Sequence, residues 1–170
     1  MAEEIVNRVA SSGLITFDLE ELYVSGERVL YDIKDNLWQD IALKEADFRT
    51  FIKQNDWSVY QDKLVALHCS VDAIIPTWAY MLLTIKLNQF AKKVVFGDLE
   101  TLETLLFEEA IAKVNPADYE DARLVIKGCG DLNVPTSAYV KLTELLQPVA
   151  KILMYGEPCS TVPLYKQPRK

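Results

Sequence analysis

From Lys63 onward, short β-rich runs alternate with helix-length amphipathic segments, and a chain built that way has few folds open to it. Alternation of this kind marks βαβ units and a mostly parallel sheet. The expected class is α/β, a three-layer fold with crossover helices on a mostly parallel sheet. The first run, Lys63 to Cys69, is almost continuously apolar, as suits a central strand covered on both faces. A helix is predicted from Ala73 to Ala91, with Asp72 as N-cap and Pro76 in the first turn. Lys92 to Gly97 reads as the second strand, after which Asp98 caps a helix that runs to about Val114 and stops before Pro116. Ala122 to Lys127 reads as the third strand, ending in the turn Gly128-Cys129-Gly130-Asp131. Pro135 opens a last helix, which Pro148 breaks or kinks and Gly156 caps.

The first 60 residues are less regular. Leu14 to Leu19 and Val29 to Ile33 read as two strands joined by a turn at Ser25-Gly26, and Ala42 to Asn55 reads as a helix. No linker composition separates this part, so it is expected to be an N-terminal β-hairpin extension of a single α/β domain over 1–170. The core is then 63–155, followed by a C-terminal loop and tail over 156–170. Gly97-Asp98-Leu99 and Gly130-Asp131-Leu132 share a tripeptide, which reads as common turn and cap chemistry without a wider repeat.

Charge narrows the partners. The 25 acidic and 18 basic residues leave a net charge of -7, which disfavours nucleic acid and anionic membranes. The basic cluster Lys166, Arg169 and Lys170 is expected to be a solvated terminus. Met1 to Ile5 lacks the charged-then-apolar pattern of a secretory leader. The run Ala73 to Ile85, broken by Pro76, Thr77 and Thr84, is shorter than the roughly 18 residues of a membrane span. A cytoplasmic protein is expected, with its three distant cysteines outside any disulfide framework. Oligomeric state is not legible, and no Gly-rich nucleotide fingerprint, Ser-centred elbow or His-Glu zinc helix is present.

Ligands of open parallel sheets bind beyond the carboxyl ends of the strands. That rule selects Cys69 after the first strand, the Asp98 turn after the second and Cys129 after the third. Cys159 follows in Tyr155-Gly156-Glu157-Pro158-Cys159-Ser160, a loop free to fold back toward the same edge. Three converging thiolates need a cation between them, so convergence would mean zinc or an iron-sulfur cluster. Asp72 is the nearest fourth ligand in sequence, with Glu157, Asp131 and His68 behind it, and no Cys-x-x-Cys knuckle supports the set.

A second possibility makes Cys69 the nucleophile of a sulfur- or acyl-transfer enzyme, its pKa lowered by the following helix. His68, the only histidine, is then placed on the opposite face by strand alternation, which leaves no base. A third is an interaction domain whose thiols are buried and inert. Trp78, Tyr80 and Met81 are expected to pack between helix and sheet, Asp72 and Asp98 to cap helices, and Asp18-Leu19-Glu20-Glu21 to form a solvated turn.

Several stretches carry a resemblance. Glu4 to Val9, Tyr31 to Asp35, Cys69 to Met81, Lys92 to Asp98, Lys127-Gly128-Cys129 and Tyr155 to Ser160 resemble the bacterial domain of unknown function family 2480, over nearly the whole chain. The family pattern includes Cys69, Asp72, Cys129 and Cys159. No activity comes with the resemblance. The gene clusters in which its members occur imply an accessory role in iron-sulfur cluster assembly, and partners among those assembly proteins.

Overall fold

The computed structural model describes residues 13–128 and 130–168. Its fold is α/β with mostly parallel strands, divided between two sheets. Contacts gather into two compact units, Ser25–Leu105 and the segments on either side of it.

After a first strand, β1 (Leu14–Asp18), the inner unit runs in simple order: β2 (Arg28–Asp32), α1 (Glu45–Gln54), β3 (Leu64–His68), α2 (Thr77–Leu87) and β4 (Lys93–Phe96). The sheet order is β2-β3-β4, all parallel. Both crossovers step in the same direction, and right-handed connections then place α1 and α2 on one face. One apolar cluster accordingly joins Phe48 and Ile52 of α1, Ala79, Leu83 and Leu87 of α2, and Val65 and Leu67 of β3. The intervening Leu64 and Ala66 are also fully buried, on the other face, which explains the continuous apolar run of this strand.

The outer unit takes β1 (Leu14–Asp18) from before the inner one, and the rest from after it: the second half of α3 (Leu99–Ile111), β5 (Arg123–Lys127), α4 (Thr136–Leu146), β6 (Ile152–Glu157) and β7 (Ser160–Lys166). Its sheet order is β1-β5-β6-β7, with only β7 antiparallel.

The two units are copies of one design. A constant shift of 59 positions carries Pro76, Thr77, Ala79, Tyr80, Leu83 and Thr84 onto Pro135, Thr136, Ala138, Tyr139, Leu142 and Thr143. The same shift carries Phe48 and Ile52 onto Phe107 and Ile111, all buried in the respective cores. Backbone detail follows. Asp62 and Asp121 both have positive φ, and their amides donate to Phe90 and Val149 respectively, each at 2.9 Å. Strand registers coincide as well: β2 meets β3 with Arg28 beside Leu64, and β1 meets β5 with Leu14 beside Arg123. The inner copy is inserted after the first strand of the outer one, so the sequence lists both first strands before either second strand.

That nesting corrects three expectations. β1 and β2 form no hairpin, because each pairs in parallel with a later strand of a different sheet. The helix expected from Ala73 begins at Thr77, with Pro76 at the N-cap position, so Asp72 caps nothing. The last helix stops at Leu146, ahead of Pro148 as expected, but Gly156, expected to cap it, lies within a strand. Ile152-Leu153-Met154-Tyr155 then forms a strand, and 160–166, expected to be tail, returns beside it. The wider repeat missed at Gly97-Asp98-Leu99 is real, but it matches Gly97 with Gly156 and not with Gly130.

Candidate functional site

In each copy, an acid, a base and a second acid stand at or just past the carboxyl ends of three neighbouring strands. In the outer unit these are Asp18 at the end of β1, Lys127 at the end of β5 and Glu157 at the end of β6. Register puts Asp18 beside Lys127. The Lys127 Nζ lies 3.0 Å from Asp18 Oδ2 and 3.9 Å from Glu157 Oε1. The hydrogen bond to Asp18 and the charges of Asp18 and Glu157 raise the pKa of Lys127. Asp18 Oδ1 also accepts from the Glu20 amide at 3.0 Å and caps the 3-10 turn Leu19–Leu22. Far from being a solvated turn, this segment sinks Leu19 into the core.

The inner unit repeats the arrangement with Asp32, His68 and Asp98. His68 Nε2 stands 3.8 Å from Asp32 Oδ2, and is buried without a hydrogen bond among the described residues. Asp32 Oδ1 accepts from the amides of Lys34 and Ser70, each at 3.1 Å. Partial desolvation works to raise the Asp32 pKa, but hydrogen bonds from Ser70 and Lys34 and the nearby His68 outweigh it, and the net shift is downward. Asp98 caps α3 as expected, accepting from the Thr101 amide at 2.8 Å and its hydroxyl at 2.7 Å. Those bonds, with a smaller contribution from His68, lower its pKa.

The cysteines are distributed between the copies. Cys69 follows β3 in the inner unit, half-buried against the helical core, and its thiol donates to the Val71 carbonyl at 3.3 Å. A helix that starts only at Thr77 leaves Cys69 eight positions from the helix N-terminus. The helix dipole acts over about one turn and does not reach that far. His68 turns its Nε2 toward Asp32, as alternation implies. Asp72 is exposed in the loop between Cys69 and α2.

Cys159 lies with Pro158 in the tight turn between β6 and β7 and is exposed. Cys129 lies outside the described residues, but its neighbours do not. Gly128 continues β5, close above Tyr139, where a β-carbon would meet the phenol oxygen at 2.7 Å and Leu19 at 3.1 Å. The Gly130 amide donates to Glu20 Oε1 at 2.5 Å, which ties the loop to the edge of the outer sheet. β5 and β6 are adjacent, with Ile126 beside Tyr155. The segments bearing Cys129 and Cys159 therefore leave neighbouring strands at the same carboxyl edge. Cys69 belongs to the other sheet.

Sequence inspection did not find the two acid-base-acid sets. Their members lie up to 139 positions apart, as Asp18 and Glu157 do, and only strand register unites them. The available signal was the 59-position shift, which matches His68 with Lys127 and Asp98 with Glu157. Among the described residues, no three His, Cys, Asp or Glu side chains are grouped so that they could hold a metal ion. No helix there is long and apolar enough to cross a membrane.

Neither curated proteins nor solved structures provide a match. A family model does: it matches residues 3–167, and the chain thus belongs to the family described as protein of unknown function (DUF2480).

Proposed function

We propose that the outer unit is a thiol-based binding module, in which Cys129 and Cys159 hold zinc or an iron-sulfur species in an accessory role to iron-sulfur cluster assembly. The observation that carries this is the adjacency of β5 and β6, which sends both cysteine-bearing segments to one sheet edge. The donor chemistry fits, since paired thiolates favour soft metals and disfavour magnesium or calcium. Two protein thiolates leave coordination positions for a small thiol or a partner's ligand, which suits transfer better than permanent storage. Cys69 as a nucleophile has less support, because its thiol donates to a carbonyl and the only imidazole faces Asp32.

Elemental analysis and a visible spectrum of anaerobically purified protein test the proposal. Zinc, or iron with a sulfur-to-iron charge-transfer band, is expected in the parent protein and lost in both Cys129→Ser and Cys159→Ser. Metal retained in Cys69→Ser assigns the site to the pair, while its loss there would enlarge the set to three sulfurs. Absence of zinc and iron from the parent protein contradicts the proposal.

A further inference from the structure

The duplication exposes one difference between the copies that concerns neither the thiols nor the charged sets. In the outer unit, the groove between α4 and β6 is lined by Thr136, Tyr139, Thr143 and Tyr155, and β7 walls it with Leu164. The inner unit has the matching groove between α2 and β4, with Thr77, Tyr80, Thr84 and Phe96 at the corresponding positions. The aromatic pairs meet edge to face in both, Tyr139 with Tyr155 at 5.8 Å and Tyr80 with Phe96 at 5.1 Å. No counterpart of β7 follows β4, since the chain passes straight into α3. Among the described residues, β4 is paired on one side only.

The consequence is an open apolar groove. Its volume is about 570 Å³, against about 330 Å³ where β7 stands. Phe96 is 68% exposed, whereas its counterpart Tyr155 is 38% exposed. Met81, expected to pack between helix and sheet, instead faces outward at 62%, as does Ile85 at 59%. Apolar side chains gathered in this way are uncommon on a monomer's surface and mark an interaction site.

We infer that this groove is a self-association surface, on which β4 pairs with β4 of a second copy to join two three-stranded sheets edge to edge. The outer copy shows what such an edge accepts: a strand running antiparallel to it. A two-fold axis across an edge strand always sets that strand antiparallel to itself, so a second copy offers the same orientation without any further sequence. The alternation of a parallel ladder, in which the Gly97 amide donates to Leu67, turns the amides of Val94 and Phe96 toward the open edge. Met81, Ile85 and Phe96 of one copy then lie against the same residues of the other. No lining residue of the groove carries a charge, so the apolar face of a second copy covers it without burying a charged group of the groove.

Sedimentation equilibrium of the full chain over a range of concentrations tests this. The parent protein is expected to dimerise, and Met81→Glu combined with Ile85→Glu to weaken the dimer by roughly a hundredfold or more, because each charge is buried against its own image. Both sites are exposed on a helix, and an unchanged far-ultraviolet circular dichroism spectrum verifies that the double variant folds. Val140→Glu, at the position matching Met81 in the outer copy, leaves the dimer intact. Hydrogen exchange at Val94 and Phe96 slows as concentration rises. A parent protein monomeric into the hundreds of micromolar overturns the inference, as does a dimer that survives the paired substitutions. Binding of a foreign strand or of 1–12 by a monomeric chain also overturns it.

Discussion

Lys127 and Asp18, 109 positions apart in sequence, end adjacent parallel strands side by side with their charges 3.0 Å apart. The pair is accessible to solvent, and its effect is best read through pH. The folded-state pKa of Lys127 is raised above its unfolded value. Its stabilising contribution is therefore complete below the unfolded lysine pKa of about 10.4 and is lost as pH rises through the folded value. Urea denaturation of Lys127→Met and the parent protein should show a stability gap at pH 8 that narrows above pH 10. A gap that stays constant with pH would contradict the assignment.

Asp32, at the matching place in the inner copy, acts in the opposite range. Its lowered pKa gives stability that is present above the unfolded carboxyl value, near 3.9, and is lost as pH falls through the folded value. Asp32→Ala removes the acceptor for the Lys34 and Ser70 amides. A loss of about 1 kcal/mol is expected at pH 7, as for other cap residues. Denaturation curves at pH 3 and below should bring the variant and parent together.

Much of this was legible and some was not, for reasons visible in single residues. β3 and β5 announce themselves because Leu64 to Leu67 and Leu124 to Ile126 are buried continuously. β6 did not, because Lys151 to Tyr155 follows a helical pattern closely enough to extend it past Pro148. The shared fold of the copies rests on Val-for-Leu and Ile-for-Leu exchanges in the strands, which preserve burial and erase identity. The ends of β3 and β5 lie close to where strand direction put them, whereas Cys159 follows β6, a strand that reads as helix. Which edge each thiol belongs to required strand order, and order is set by long-range pairing that spacing does not encode.

Gly97 and Gly156 occupy matching positions with φ of 137° and 113°, a region costly for any other residue. A β-carbon at Gly156 would meet the Ser160 carbonyl oxygen at 2.7 Å, whereas at Gly97 it would meet the Thr101 side chain, also at 2.7 Å. Backbone in a paired strand yields less than a side chain. Gly156→Ala is expected to destabilise the fold by more than about 1 kcal/mol, and by more than Gly97→Ala, as read by thermal denaturation.

Leu83 and Leu142 are fully buried at equivalent positions of α2 and α4. Alanine at either should cost about 2–5 kcal/mol, the range for emptying a buried leucine site. Equilibrium urea unfolding of the two variants measures this, and a loss below 1 kcal/mol at either position would contradict its place in the core.

Thiol reactivity should follow exposure. Cys159 is exposed in its turn, while Cys69 is half-buried with its proton engaged by Val71. Mass spectrometry of partly alkylated, metal-free native protein should find Cys159 labelled well before Cys69, with the difference abolished in denaturant.

The most direct measurement of the central claim is the bridging of Cys129 and Cys159 by a trivalent arsenical in the native, metal-free protein, mapped by mass spectrometry. Neighbouring strands that deliver both thiols to one edge predict a stoichiometric adduct linking these two residues and sparing Cys69. An adduct that links Cys69, or no bridged product at all, would contradict a paired-thiol site in the outer unit.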